Sequence, residues 1–136
     1  MIKTYPTTPE NSPALNEHGM PHGKRLNEDW EIAPRETKRL LDAGEIVLID
    51  CRRDEEHDAV RIEGAELFPL DDLGSMIEEL EAHAGRRVVV HCHTGVRSLK
   101  AAAFLRSIGF DDARSMAGGI ELWSIDVDPS VPRYTK

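Results

Sequence analysis

The sequence predicts an α/β domain built on a central, mostly parallel sheet. Two short apolar runs, Ile46-Val47-Leu48-Ile49 and Val88-Val89-Val90, read as strands buried on both faces. Helix-like segments separate them, and glycines (Gly44, Gly85 and Gly109) stand where helices would stop. Residues 1–29 carry Pro6, Pro9, Pro13 and Pro21 among polar residues and are expected to form an extended or flexible arm. His18 and His22 are spaced i, i+4, but Gly19 and Pro21 argue against a helix that would align them on a metal. The domain proper is expected over residues 30–136. Pro34 suits the first turn of a helix that carries Leu40, Leu41 and Ala43 and stops at Gly44. The first strand follows and ends at Asp50. The charged stretch 52–61 is expected to hold a short helix, and Glu66-Leu67-Phe68 a short strand before Pro69. Asp71 or Asp72 would cap a helix holding Leu73, Met76, Ile77 and Leu80 and ending near Gly85. The 88–90 strand leads into a turn at Cys92, then a helix from Leu99 closed by Gly109. Arg114-Ser115-Met116 is the last strand, and Gly118-Gly119 turns into a helix with Leu122 and Trp123. Strands alternating with helices imply right-handed crossovers and helices on both faces. The functional end of such a sheet is the carboxyl end of its strands, where Asp50 and Cys92 fall.

The chain has 136 residues, 40% apolar and 31% charged, with a formal net charge of −8. That length fits one domain and an arm. The acidic balance argues against non-specific nucleic-acid binding and against an anionic membrane surface. No apolar run reaches the length of a membrane span, and the first residues lack a secretory apolar core. Cys51 and Cys92, the two cysteines, make no disulfide framework, so a cytoplasmic, reducing setting is expected. No cofactor is implied.

The chemistry concentrates in His91-Cys92-His93-Thr94-Gly95-Val96-Arg97-Ser98. A cysteine in a tight strand-to-helix turn meets converging backbone N–H groups and the positive end of a helix, and both favour the thiolate. Gly95 permits the dihedral angles that a tight cradle requires. Arg97 brings a full charge and two-pronged hydrogen bonding, either to an anion held in the loop or to an acid that braces it. The bland alternative for Cys92 is a small packed hydrophobe. His91 is expected either to lower the thiol pKa from the pocket rim or to make a structural hydrogen bond. His93 is expected over the pocket or on its exposed rim. Adjacent residues at a strand end project in different directions, so His91, Cys92 and His93 do not make a zinc site, and no metal is expected.

Four segments in order resemble the rhodanese-like (sulfurtransferase) family over residues 30 to 134. They are Leu48-Ile49-Asp50-Cys51-Arg52 with Glu56, Ile62-Glu63-Gly64-Ala65, the loop from Cys92 to Ser98, and Met116-Ala117-Gly118-Gly119-Ile120 with Trp123. The resemblance implies a three-layer α/β/α fold in a single domain. Departures are Arg61 and Glu63 within the family's His-Ile-Pro-Gly-Ala, Cys51 in place of a valine, and His93 where thiosulfate-using members often carry Arg or Lys. The ending 127–134 resembles that of rhodanese domains attached to sulfur-carrier-activating enzymes.

That resemblance implies a two-step transfer. Cys92 takes the outer sulfur of a donor such as thiosulfate or a persulfide, and the Cys92 persulfide then passes it to a thiol, cyanide or a protein acceptor. His93, Thr94, Gly95, Val96 and Ser98 would line the persulfide-binding loop, with Cys92 and Arg97 as the catalytic pair. Partners would be these small molecules and a sulfur-carrier or thioredoxin-like protein, with neither nucleic acid nor membrane. Asp50 and Arg52 are expected to form a structural ion-pair set with Glu56, and Arg61 to stand at the pocket mouth or in solvent. Cys51 is expected as a packed strand residue, or as a thiol able to resolve the persulfide. Related phosphatase and arsenate-reductase loops start with a similar His-Cys pair but place five residues between Cys and Arg. Here Cys92 and Arg97 bracket four, which suits one added sulfur atom. The alternatives are a non-enzymatic sulfur-carrying or docking module and, less favoured by loop length, a small Cys-dependent phosphatase or arsenate reductase.

Overall fold

In the computed structural model, which describes residues 1–135, the elements run β1 (Lys3–Tyr5), β2 (Glu31–Ile32), α1 (Pro34–Asp42), β3 (Val47–Asp50), α2 (Asp54–Ala59), β4 (Glu66–Leu67), α3 (Ile77–Leu80), β5 (Val88–His91), α4 (Val96–Ser107), β6 (Arg114–Met116), α5 (Gly119–Asp126) and β7 (Arg133–Thr135). Five strands form one sheet in the order β2-β6-β5-β3-β4, and every adjacent pair in it is parallel. Every residue of the central strands β3 and β5 is buried, which explains why both are near-continuous aliphatic runs. Alternation divides their side chains between two cores. Val47, Ile49, Val88 and Val90 pack on one face with Ala101, Ala102 and Leu105 of α4. Leu48 and Val89 pack on the other with Leu40 of α1 and Ile120 and Trp123 of α5. Burying each such large side chain is worth about 1.5–3 kcal/mol, so this two-sided packing is the main source of stability. It is the α/β/α sandwich expected from the sequence.

Two helices differ from expectation. α4 starts at Val96 rather than Leu99, because Gly95, at φ +105°, caps it and lets the loop run directly into the first turn. The segment after Pro69 is a 3-10 run over Leu70–Ser75, a single α turn in α3 and a second 3-10 turn over Glu81–His83. Neither Asp71 nor Asp72 caps it: both lie inside the first turn. Gly74 within the run weakens a continuous helix.

The arm lies against the domain. β1 pairs antiparallel with β7, Thr4 opposite Tyr134. Arg133 bridges Glu121 at 2.7 Å and the Asn11 side chain at 2.8 Å. Met20 is buried with Ala33, Ala117 and Leu122, and Arg35 binds Asp126 through two hydrogen bonds of 2.8 and 3.0 Å. β1, β2 and β7 have two or three residues each, too few for an alternation to show.

The start of α5 abuts the Cys92 turn. The Ile120 N–H donates to the Cys92 carbonyl at 2.9 Å and the Glu121 N–H to the His93 carbonyl at 3.1 Å. This approach needs glycine at 119, since a Cβ there would lie 2.5 Å from the Cys92 carbonyl oxygen and collide with that of His93. Gly44 also has positive φ, but a Cβ would meet open space. Gly44→Ala is therefore expected to cost about 1–2 kcal/mol, the left-handed backbone penalty alone. Gly119→Ala should cost at least about 3 kcal/mol, because strain and a backbone collision add. Urea unfolding of the two variants checks the difference, and equal losses would contradict it.

Candidate active site

Cys92 follows β5 directly and lies on the face of Val88 and Val90, 1% exposed. Its sulfur accepts from the Gly95 N–H at 3.1 Å and from the Ser98 N–H at 3.3 Å. The Ser98 hydroxyl is also 3.3 Å away. Ser98 is the third residue of α4, so its N–H is one of the helix's unsatisfied donors, spent on sulfur. The Ser98 hydroxyl lies 2.7 Å from that of the buried Ser115 on β6. With Cys92 a thiolate, Ser98 must donate to sulfur and Ser115 to Ser98. Cys51, the next residue after β3, lies in the same core cluster as Cys92. Led by the neighbouring Cys51 thiol, and assisted by Ser98 and Gly95, these groups outweigh desolvation and bring the Cys92 pKa down to about 4. The converse holds for Cys51, whose pKa is pushed up by the neighbouring Cys92 sulfur, by burial and by the nearby charge. One proton is thus kept on Cys51 while Cys92 is ionised.

Arg97 braces the loop. Its Nη1 and Nη2 donate to Glu56 Oε1 and Oε2 at 2.7 and 2.9 Å, the two-pronged geometry of a strong charge-assisted pair. Glu56, on α2, is 1% exposed. Burial pushes its carboxyl up, but Arg97 and the Tyr134 hydroxyl, 2.6 Å from Oε2, hold it well below the usual carboxylate range. Each terminal nitrogen of Arg97 gives one N–H to Glu56, so the loop arginine is held in place from α2. The acid-bracing role is the one the structure displays.

Behind this pair stands Arg52, with no exposed side-chain surface. It binds Asp50 at 2.9 and 2.7 Å, the Val60 carbonyl at 2.6 Å and the Tyr134 hydroxyl at 3.2 Å. Burial alone would raise the Asp50 pKa, but Arg52 and the hydrogen bond from His57 Nδ1 at 2.8 Å keep it at about 2. The expected Asp50–Arg52–Glu56 set is therefore divided: Asp50 takes Arg52, and the Glu56 carboxylate takes Arg97.

His91 is not on a rim. It is fully buried on the strand face opposite Cys92, since neighbouring strand residues alternate, and its Nδ1 lies 3.3 Å from the Cys92 carbonyl. Burial lowers its pKa. His93 stacks on the Tyr134 ring, centroids 4.0 Å apart and planes 16° apart. Thr94 and Val96 are exposed at the loop crest. Arg61 is exposed and reaches the His57 carbonyl at 3.4 Å, placing it beside α2. Tyr134 and Ser115 escaped the sequence reading. Both sit on short strands with no motif of their own, and only the tertiary fold brings them to the loop. Among the described residues no group of three or more His, Cys, Asp or Glu could hold a metal, and no helix is long and apolar enough to cross a membrane. An open cleft of about 620 Å³ lies elsewhere, beneath the arm, lined by Met20, Lys24, Glu31, Arg35, Arg87 and Arg114. Neither cysteine lines it, and Lys24–Glu31 and Arg35–Asp126 already pair their charges.

The Rhodanese-like domain family matches residues 33–126. The chain is 38% identical over 104 residues to the probable adenylyltransferase/sulfurtransferase MoeZ of Mycobacterium tuberculosis, covering 76% of this chain and 26% of that protein. It is 33% identical over 126 residues to the adenylyltransferase and sulfurtransferase MOCS3-1 of Zea mays, covering 88% and 27%. It thus spans about a quarter of the length of these curated relatives. Among solved structures, the human single domain sulfurtransferase TSTD1 superposes with a TM-score of 0.62 at 30% identity, covering 68% of this chain and 93% of that one. A matching family over most of the domain, and a cysteine loop at the carboxyl end of its central strand, lead to one conclusion: the chain belongs to the rhodanese-like domain family.

Proposed function

We propose that the chain is a sulfurtransferase that carries sulfane sulfur as a Cys92 persulfide. The observation that supports this best is the sulfur of Cys92 facing the Gly95 and Ser98 N–H groups and the Ser98 hydroxyl. A thiolate already stabilised by fixed donors attacks the outer sulfur of a donor without prior proton transfer. The same donors then cradle the anionic persulfide, as fixed donors hold developing charge elsewhere. Thiosulfate or a small persulfide is the donor, and a thiol, cyanide or a sulfur-carrier or thioredoxin-like protein the acceptor, in a reducing, cytoplasmic setting. The six-residue span from Cys92 to Arg97, pinned by Glu56, supports a small sulfur guest over a tetrahedral oxyanion. The similarity to MoeZ and to the human TSTD1, both named as sulfurtransferases, agrees with this reading.

Incubating reduced protein with thiosulfate or an alkyl persulfide should add one sulfur atom by intact mass, released on adding cyanide, and Cys92→Ser should add none. A wild type that gains no sulfur from either donor overturns the proposal.

The low Cys92 pKa fixes a pH profile. The group is ionised well below neutrality, so alkylation of Cys92 by iodoacetamide should be nearly flat between about pH 6 and 8 and fall about tenfold per unit below about pH 4. An ordinary thiol would instead gain about tenfold per unit up to its pKa near 8.5.

Glu56→Gln removes the charge that pins Arg97. Because Glu56 is buried but Arg97 is partly exposed, a loss of about 2–3 kcal/mol in urea unfolding is expected, at the lower end for a broken buried pair. Sulfur loading should slow by about tenfold, the effect of a loop no longer held in one geometry. Unchanged loading would remove Arg97 and Glu56 from the positioning role.

A further inference from the structure

We propose that Cys51 is a resolving thiol: when no acceptor is present, it discharges the Cys92 persulfide as hydrosulfide and closes a Cys51–Cys92 disulfide. This rests on the reading of Cys92 as a persulfide carrier. β3 and β5 are adjacent parallel strands with Asp50 opposite His91. The ladder continues one step further, because the Cys51 N–H donates to the His91 carbonyl at 3.0 Å. Cys51 and Cys92 are the next residues on the two strands, and they point to the same face, within one core cluster, each 1% exposed. Paired strands lie about 4.8 Å apart, inside the Cα separation of about 4.4–6.8 Å that a disulfide spans. Each thiol is the leading influence on the other's ionisation, as expected for side chains that share one face of paired strands. Packing at this buried position asks only for a small apolar side chain, so the sulfur is free to serve chemistry.

Loading changes what Cys51 faces. In the empty site it meets a thiolate, with which it cannot react. In the persulfide the negative charge sits on the outer sulfur, and Cys92 Sγ becomes an electrophile. Cys51 Sγ then attacks Cys92 Sγ, and the bond from Cys92 Sγ to the sulfane sulfur breaks. That sulfur leaves with the electron pair and takes up the Cys51 proton as hydrosulfide. The two cysteine sulfurs are oxidised to a disulfide and the sulfane sulfur is reduced to sulfide, so no outside oxidant enters. The neighbouring Cys92 sulfur and burial both hold the proton on Cys51, which makes the discharge slow and leaves a competent acceptor time to collect the sulfur. A dithiol reductant would reopen the disulfide.

The test uses the reduced full chain, loaded with an alkyl persulfide, desalted and followed over time after acid quenching. Intact mass, released sulfide and non-reducing peptide mapping are read together. Wild type should gain one sulfur atom and then lose it, with equimolar sulfide and a Cys51–Cys92 linked peptide. Cys51→Ser keeps a hydroxyl donor near Cys92 but has no sulfur to attack with, and should hold the added sulfur at least about tenfold longer. A wild type that retains its sulfur as long as Cys51→Ser, with no sulfide and no linked peptide, overturns the resolving role while leaving persulfide carriage intact. A wild type that neither gains sulfur nor releases sulfide removes both. If Cys51→Ser does not fold, the linked peptide and matched sulfide in wild type decide alone.

Discussion

A guanidinium sealed from water organises the carboxyl end of this sheet. Arg52 is a charge that cannot be buried alone, since removing an ion from water costs several kcal/mol unless partners replace the lost solvation. Its partners are drawn from separate parts of the chain: Asp50 at the end of β3, the Val60 carbonyl after α2, and the Tyr134 hydroxyl on β7. Each is therefore held at a fixed place, and the cost of moving one includes the exposure of the charge to an incomplete shell. Tyr134 passes the constraint onward to Glu56, and Glu56 to Arg97. The cysteine loop is thus braced from the sheet through a chain of hydrogen bonds, none of which touches sulfur.

The sulfur is stabilised by a different set of groups. Gly95 and Ser98 supply donors because α4 begins where the loop ends, and Ser115 orients the Ser98 hydroxyl from the neighbouring strand. Two independent supports therefore meet at one loop: a charged scaffold outside it and neutral donors inside it. This division lets an acidic chain, with a net charge of −8, keep an anionic sulfur without placing a cation directly on it.

The layered architecture, the central strands and the cysteine loop were legible in the sequence because they leave strong local signals. Continuous Val and Ile runs mark buried parallel strands, and Cys92, Gly95 and Arg97 are spaced within one turn. The Rhodanese-like domain match over residues 33–126 agrees with that reading. What stayed hidden depended on distant parts of the chain. Tyr134 and Ser115 reach the loop from short strands, the Arg97 partner sits on α2, and His91 points away from Cys92 because a strand alternates its faces. α4 starts earlier than the apolar spacing indicates, because loop residues double as its first turn. The broken segment after Pro69 reads as one helix in the sequence because apolar spacing survives in 3-10 turns.

The pairing of β1 with β7 places the two described ends of the chain side by side, Lys3 opposite Thr135. Anything joined to either end would meet the domain at one spot on its surface. That spot is next to the loop, since Tyr134, the partner of Thr4 in the ladder, carries the ring on which His93 rests. A neighbour tethered there starts beside the loop, at a local concentration set by its tether rather than by diffusion from solution.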